Sequence, residues 1–182
     1  ARPDQIQAVF QRQCRLVGRR FRLAHIMFGR DVIEVATFRA SHSDARSENQ
    51  AKQSDEGMLL RDNVYGTIEQ DAERRDFTVN GMAMNRFGEV IDLVGGRRDI
   101  KHKTLRTIGD AQKRFEEDAL RLFRACRFVA KLDFLPSKDL LEAMPKAFHR
   151  VSGLSLERVR NEIDRLMLEP AVAKGLDVLV QS

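Results

Sequence analysis

Apolar positions in this chain change period along its length, and the changes mark its organisation. From Pro3 to Cys14, Ile6, Val9 and Phe10 fall on one helical face. Pro3 stands where a missing amide donor does no harm, so a short amphipathic helix is predicted. From Cys14 to Phe28 apolar and polar residues alternate, and from Asp31 to Phe38 they alternate again. Two or three strands are expected, with a turn at Phe28-Gly29-Arg30-Asp31. In the strand from Val32 to Arg39, the period of two puts Glu34, Ala36 and Phe38 on one face and Ile33, Val35 and Thr37 on the other. Glu34 therefore sits among apolar neighbours. It is either an edge-strand acid turned to solvent or a carboxylate on a rigid support, the setting a hard divalent cation needs.

Between Ala40 and Asp55 the chain turns to Ser, Asp, Glu, Gln, Asn and Lys without apolar periodicity, which predicts a mobile surface loop; Met58-Leu59-Leu60 leads back into order. The stretch from Glu69 to Asn80 then crowds acids against Arg74 and Arg75 and runs into Phe77, Val79, Met82 and Met84. Such a stretch either caps a buried helix or builds a polar site on a packed wall. Asp76 to Met84 is expected to be helical, weakened by Gly81, and Arg86 to Asp92 a hairpin turning near Phe87-Gly88. Gly95-Gly96 lacks the GxxxxGK(S/T) frame of a phosphate loop and is assigned to a turn or hinge.

Beyond Gly109 the period becomes helical. Asp110 is a good N-cap, and Ala119, Leu122, Phe123, Cys126, Val129 and Ala130 recur at three- and four-residue intervals as one buried stripe. Glu117, Asp118, Arg121 and Arg124 occupy the opposite side. Asp118 and Arg121, three apart, are helical neighbours. They form either a solvated ion pair or a fixed carboxylate beside a guanidinium fork, suited to reading the edge of a base. Further helices are predicted from about Ser137 to Phe148 after Pro136, from Ser155 to Leu168 before Pro170, and from Ala171 to Val180. In the second of these, Leu156, Val159, Ile163 and Leu166 should face inward and Glu157, Arg158, Arg160, Glu162 and Arg165 outward. There is no internal repeat.

Composition narrows the class. With 182 residues, 42% apolar and 32% charged, the chain is long enough for a real core and reads as globular. One Tyr and no Trp argue against a stacking-rich surface for single strands. A net charge of +5 and a pI near 9.6 favour an anionic partner, nucleic acid first. Cys14 and Cys126 have no metal or disulfide spacing, so a reducing compartment is expected. Without a run of transmembrane length or a signal-like start, a cytoplasmic protein with no membrane partner is expected.

Several segments together resemble the class II nucleotidyltransferase superfamily, which holds bacterial poly(A) polymerases and tRNA CCA-adding enzymes. They are Glu34-Val35-Ala36-Thr37-Phe38-Arg39, Arg74-Arg75-Asp76-Phe77-Thr78-Val79-Asn80, Gly95-Gly96 with Asp99, and Glu117-Asp118-Ala119-Leu120-Arg121 followed by Arg124-Ala125-Cys126-Arg127-Phe128. The motifs cover about residues 14 to 168, and Leu16 to His25 resembles the poly(A) polymerase branch more than the CCA-adding one.

The resemblance implies an α+β fold. Residues 1–108 would be a partial nucleotidyltransferase head with a mixed or antiparallel sheet and helices, and 109–182 an all-α neck. It also implies two Mg2+ ions, with Glu34 as the catalytic, metal-binding carboxylate, and ATP as substrate. Arg75, Asp76 and Asn80 would hold its sugar and triphosphate. Asp118 and Arg121 would read the base with Glu117 supporting them, Arg124 would share the nucleotide site, and Arg158 would join it from a later neck helix, where Arg160 also matches.

The family's Asp-x-Asp pair would precede residue 1. The expectation is therefore part of a head plus a neck, inactive alone, with a partner chain or a crystal contact over the exposed sheet edge. Three functions stay open. The first is AMP addition to RNA 3′ ends by two-metal phosphoryl transfer. The second is CCA addition to tRNA, and the third a non-catalytic RNA-binding remnant.

Overall fold

The computed structural model of the chain describes residues 2–18, 22–40 and 65–182. The expected loop from Ala40 to Asp55, the Met58-Leu59-Leu60 return and Arg19 to Phe21 of the branch-specific segment lie outside these residues, apart from Ala40 itself. The chain folds as two compact units, Ala1–Arg74 and Arg75–Ser182.

In the first unit, α1 (Pro3–Phe10) leads through a 3-10 turn into an antiparallel sheet of β1 (Cys14–Val17), β2 (Leu23–Phe28) and β3 (Asp31–Val35), in that order. The β2–β3 turn falls where the alternation placed it, and Gly29 there has φ 62°, a left-handed value glycine adopts without strain. Ile6, Cys14, Ala24 and Ile26 form a small core, with Phe10, Leu16 and Val35 packed on it. Two expectations change here. Helix α1 stops at Phe10 because Gln11 turns to φ 45°, and Val9, expected on the inner face, is 73% exposed. Strand β3 ends at Val35 rather than continuing to Arg39, which makes an isolated bridge to Tyr65. Thr67 then caps α2 (Ile68–Glu73) reciprocally: its hydroxyl accepts from the Gln70 N–H, and its own N–H donates to the Gln70 side chain.

The second unit opens with a 3-10 turn at Thr78–Asn80 and β4 (Met82–Met84), not the helix expected from Asp76 to Met84. Pairing with β5 (Val90–Asp92) overrides the helical preference of Met82-Ala83-Met84, and Gly88 at φ 83° closes the hairpin where expected. Of the turn or hinge expected at Gly95-Gly96, the structure has the turn: Gly95, at φ 83°, caps α3 (Gly96–Lys101), which Gly96 starts. The Asp92 carboxylate accepts from the N–H groups of Val94, Gly95, Gly96 and Arg97. Desolvation raises its pKa, but these donors outweigh it and hold the carboxyl below its ordinary value. A Cβ on Gly96 would meet the Thr78 carbonyl oxygen at 2.4 Å, so only glycine fits.

After β6 (Thr104–Leu105) come α4 (Ala111–Glu117) and α5 (Leu120–Leu132), then β7 (Leu135–Pro136), parallel to β6, followed by α6 (Lys138–Ala147), α7 (Leu156–Leu166) and α8 (Val172–Val180). Asp110, Ser137 and Ser155 cap α4, α6 and α7 through their side chains. The predicted stripe from Ala119 to Ala130 is buried throughout, and Ala119, Leu122, Cys126, Val129 and Ala130 of it pack with Phe77, Leu105, Phe115, Leu140, Met144 and Leu166. On α7 the expected faces fail at two places. Leu156 is 86% exposed, because it starts the helix beyond the packed turn, and Glu162 is buried because it meets a buried arginine. Among the described residues, no helix is long and apolar enough to cross a membrane.

Candidate nucleotide-binding site

Phe77 fixes one wall. Its side chain is fully buried, its backbone bridges Thr107, and its ring meets Phe128 edge-on at 5.5 Å between centroids. Backbone bonds from Thr78 N–H to the Arg106 carbonyl and from Ile108 N–H to the Asp76 carbonyl hold the flanking residues. Asp76 is thereby pinned under the surface with its carboxylate fully engaged. Oδ1 accepts from the Phe77 N–H at 2.8 Å and from Asn80 Nδ2 at 3.0 Å, and Oδ2 accepts from Arg124 Nε at 2.8 Å and from Nη2. Burial raises its pKa, but the Arg124 charge and these donors prevail, leaving the carboxyl below its ordinary value. Asp76 is ionised and saturated, so it positions Arg124 and Asn80 and has no free oxygen for a ligand. Arg75 donates to the Asn80 carbonyl at 3.0 Å, closing the 3-10 turn.

The second wall comes from the α4–α5 junction. The helix expected to run unbroken through Asp118 and Arg121 breaks at Asp118, whose backbone is extended (φ −151°, ψ 99°). Among the described residues their side chains do not pair with each other, although the Arg121 N–H donates to the Asp118 carbonyl at 3.0 Å. Arg121 Nη1 donates to Glu117 Oε2 at 2.9 Å and to the Arg114 carbonyl at 2.8 Å. Asp118 instead accepts from Leu120 N–H at 3.1 Å and from Arg158 Nη2 at 3.1 Å, 40 residues away. Glu117 bridges Arg114 and Arg121; desolvation raises its pKa, but the two guanidiniums outweigh that and lower it overall.

Helix α7 is locked to α5 from beneath. Arg127 Nε donates to Glu162 Oε2 at 2.6 Å, both side chains being 8% exposed, and Arg124 Nη1 lies 3.6 Å from Glu162 Oε1. Arg124 and Arg127 also lie over the Phe128 ring, at 5.5 and 4.5 Å from its centroid. Glu162 and Arg158 are four apart, so one helix face reaches both Arg127 and Asp118.

These elements enclose an open cavity of about 460 Å³ lined by Arg75, Asp76, Asn80, Asp118, Arg121, Arg124 and Phe128. Six of the nine residues singled out from sequence meet there. Glu117 stands behind Arg121, Arg158 stands behind Asp118, and Glu34 belongs to the other unit. Phe128, Arg127 and Glu162 were missed. A signal for the last two existed: Arg127 follows Cys126 within the buried stripe, and a buried arginine requires an acid. The cavity offers guanidinium donors, an amide, a carboxylate and an aromatic face. That set can grip an anion, hydrogen-bond a base edge and stack a ring.

Glu34 pairs with His25 across β2 and β3, with Oε1 3.3 Å from His25 Nε2, and its side chain is 66% exposed. Among the described residues, no three His, Cys, Asp or Glu side chains gather as a metal-binding group. A Mg2+ ion takes oxygen ligands in near-octahedral array, and one carboxylate held by a histidine does not supply it. The described residues alone do not fit a Mg2+ site.

Among solved structures, the whole chain superposes on 41% of the Bacillus stearothermophilus CCA-adding enzyme in complex with CTP, with a TM-score of 0.83 and 32% identity. The fold is that of a nucleotidyltransferase head with a helical extension. The chain belongs to the Poly A polymerase head domain family, which matches residues 1–106, and residues 133–182 match the family described as "Probable RNA and SrmB- binding site of polymerase A". Poly(A) polymerase I of Haemophilus influenzae is 68% identical over 139 residues, covering 76% of this chain and 31% of that protein. The CCA-adding enzyme of Bacillus subtilis is 35% identical over 184 residues, covering all of this chain and 43% of that protein. The chain thus spans less than half the length of these curated relatives.

Proposed function

We propose that this chain is the nucleotide-selecting part of a template-independent nucleotidyltransferase that adds AMP from ATP to RNA 3′ ends. The observation that carries the reading is the cavity in which Arg75, Asn80, Asp118, Arg121 and Arg124 converge beside Phe128. Arg75 and Arg124 supply positive charge for the triphosphate, Asp118 and Arg121 face the base edge, and Phe128 offers a ring surface. Asp76 and Glu117 act through the arginines they hold.

We assign the neck to 109–182 and RNA binding to the segment within it that matches the RNA-site family. Glu34 remains the proposed carboxylate for the two Mg2+ ions that the fold family implies, with its remaining ligands unassigned.

Calorimetric titration of the chain with ATP and with CTP tests this. ATP should bind more tightly than CTP, and Arg121→Ala should weaken ATP at least about tenfold, the loss of a charge-assisted contact. Equal binding of both nucleotides would favour the second reading, CCA addition to tRNA, which the likeness to the CTP-bound structure supports. No binding of either would overturn both.

A further inference from the structure

A second open cavity, about 480 Å³, adjoins the first through Asp118. One side is the end of α4 and the turn into α5 (116–119); the other is the 3-10 turn Phe148–Gly153 with Leu154 and Arg158. Most of its carboxylates are committed: Glu117 to Arg114 and Arg121, and Asp118 to Arg158. Three groups keep capacity. Glu116 uses Oε1 to accept from Gln112 Nε2 at 2.9 Å, and its second oxygen has no partner among the described residues. Arg150 spends one donor on the Glu116 carbonyl at 3.3 Å. The His149 Nδ1 lies 2.9 Å from the Lys146 carbonyl, which can only accept; Nδ1 therefore carries a proton, and in the neutral ring Nε2 is an acceptor.

Mixed signs argue against a phosphate-tracking groove, which would be uniformly basic. Two acceptors beside a guanidinium instead match a neutral ring that bears an exocyclic amine and ring-nitrogen acceptors. Adenine and cytosine have that amine, and uracil does not. Six of the ten lining residues fall within 133–182, the segment matching the RNA-site family. Single-stranded RNA is read this way, by splayed bases hydrogen-bonded on their edges. We infer that this cavity takes an amine-bearing base from the 3′-terminal segment of the RNA, with Asp118 as the partition between it and the incoming nucleotide. The inference rests on the reading of the first cavity as the nucleotide site.

The test uses the 182-residue chain with fluorescent twelve-residue oligo(A) and oligo(U), followed by anisotropy, and ATP followed separately by calorimetry. The chain should prefer oligo(A). Glu116→Ala should reduce that preference about tenfold while leaving ATP affinity and thermal midpoint unchanged, since Glu116 is exposed and outside the first cavity. Arg150→Ala should weaken oligo(A) more than oligo(U). No preference in the parent chain, an unaltered preference in both variants, or an equal loss of ATP and RNA binding would overturn the inference. Preference for oligo(A) without ATP binding would instead overturn the nucleotide site alone.

Discussion

Asp76 and Arg124, 48 residues apart, are joined by two hydrogen bonds onto a single carboxylate oxygen, Oδ2, with Arg124 Nε at 2.8 Å. The other oxygen serves the Phe77 N–H and Asn80. One buried acid thus sets the position of a cation on α5 and an amide on the 3-10 turn, both lining the same cavity.

Asp76 also predicts a pH dependence. Its folded pKa lies below the ordinary aspartate value, so the unfolded chain binds more protons in the window between them. The stability it contributes is complete above the ordinary value of about 4 and is lost as pH falls through the folded pKa. Glu117, also lowered, acts with the same sign near its own range. Denaturant midpoints from pH 7 to pH 2 should be flat at first and then fall, and Asp76→Asn should make the fall shallower. An identical profile in the variant would remove Asp76 from this role.

The Arg127–Glu162 pair is shielded from water on both sides. Glu162→Ala leaves a buried guanidinium without its closest acid and should cost about 3–5 kcal/mol. Arg127→Met with Glu162→Leu should recover most of it, because filling both positions with apolar groups removes the stranded charge. Urea unfolding of the two single variants and the double variant reads the coupling directly.

Cys126 lies on the buried stripe with no exposed surface, and burial pushes its thiol up to about 12. The thiolate that attacks an alkylating reagent is therefore scarce at pH 8. Mass spectrometry after iodoacetamide treatment should find Cys126 unmodified in the folded chain and modified once urea unfolds it.

Gly175 lets α8 approach α5: a Cβ there would sit 2.6 Å from the Cys126 carbonyl oxygen and 3.0 Å from the Ala130 Cβ. Gly175→Ala should destabilise by about 1–3 kcal/mol despite alanine's better helix propensity, because the clash is with backbone. A raised thermal midpoint would show that the helices separate without strain.

Much of the second unit could be read from its sequence because its signals are local. Asp110, Ser137 and Ser155 announce helix starts by the bonds their side chains make within one turn, and the stripe on α5 repeats over 13 residues. The failures came where a partner distant in sequence decides. Met82-Ala83-Met84 becomes a strand because Val90-Ile91-Asp92 lies beside it, and Glu162 turns inward because Arg127 waits there. In the site, residue identities were visible but their pairings were not: Asp118 goes to Arg158 and Arg121 to Glu117.

The extended backbone of Asp118 has a consequence for how such a protein changes over generations. The two proposed base readers ride on opposite sides of a break, one ending α4 and the other within α5, while a third helix tethers the first. A small rotation of α4 against α5 would re-aim Asp118 and shift the Arg114 carbonyl and Glu117 carboxylate that hold Arg121. On the proposed reading of this site, Phe115 and Leu122, fully buried on those helices, are places where nucleotide preference can drift with every site residue kept.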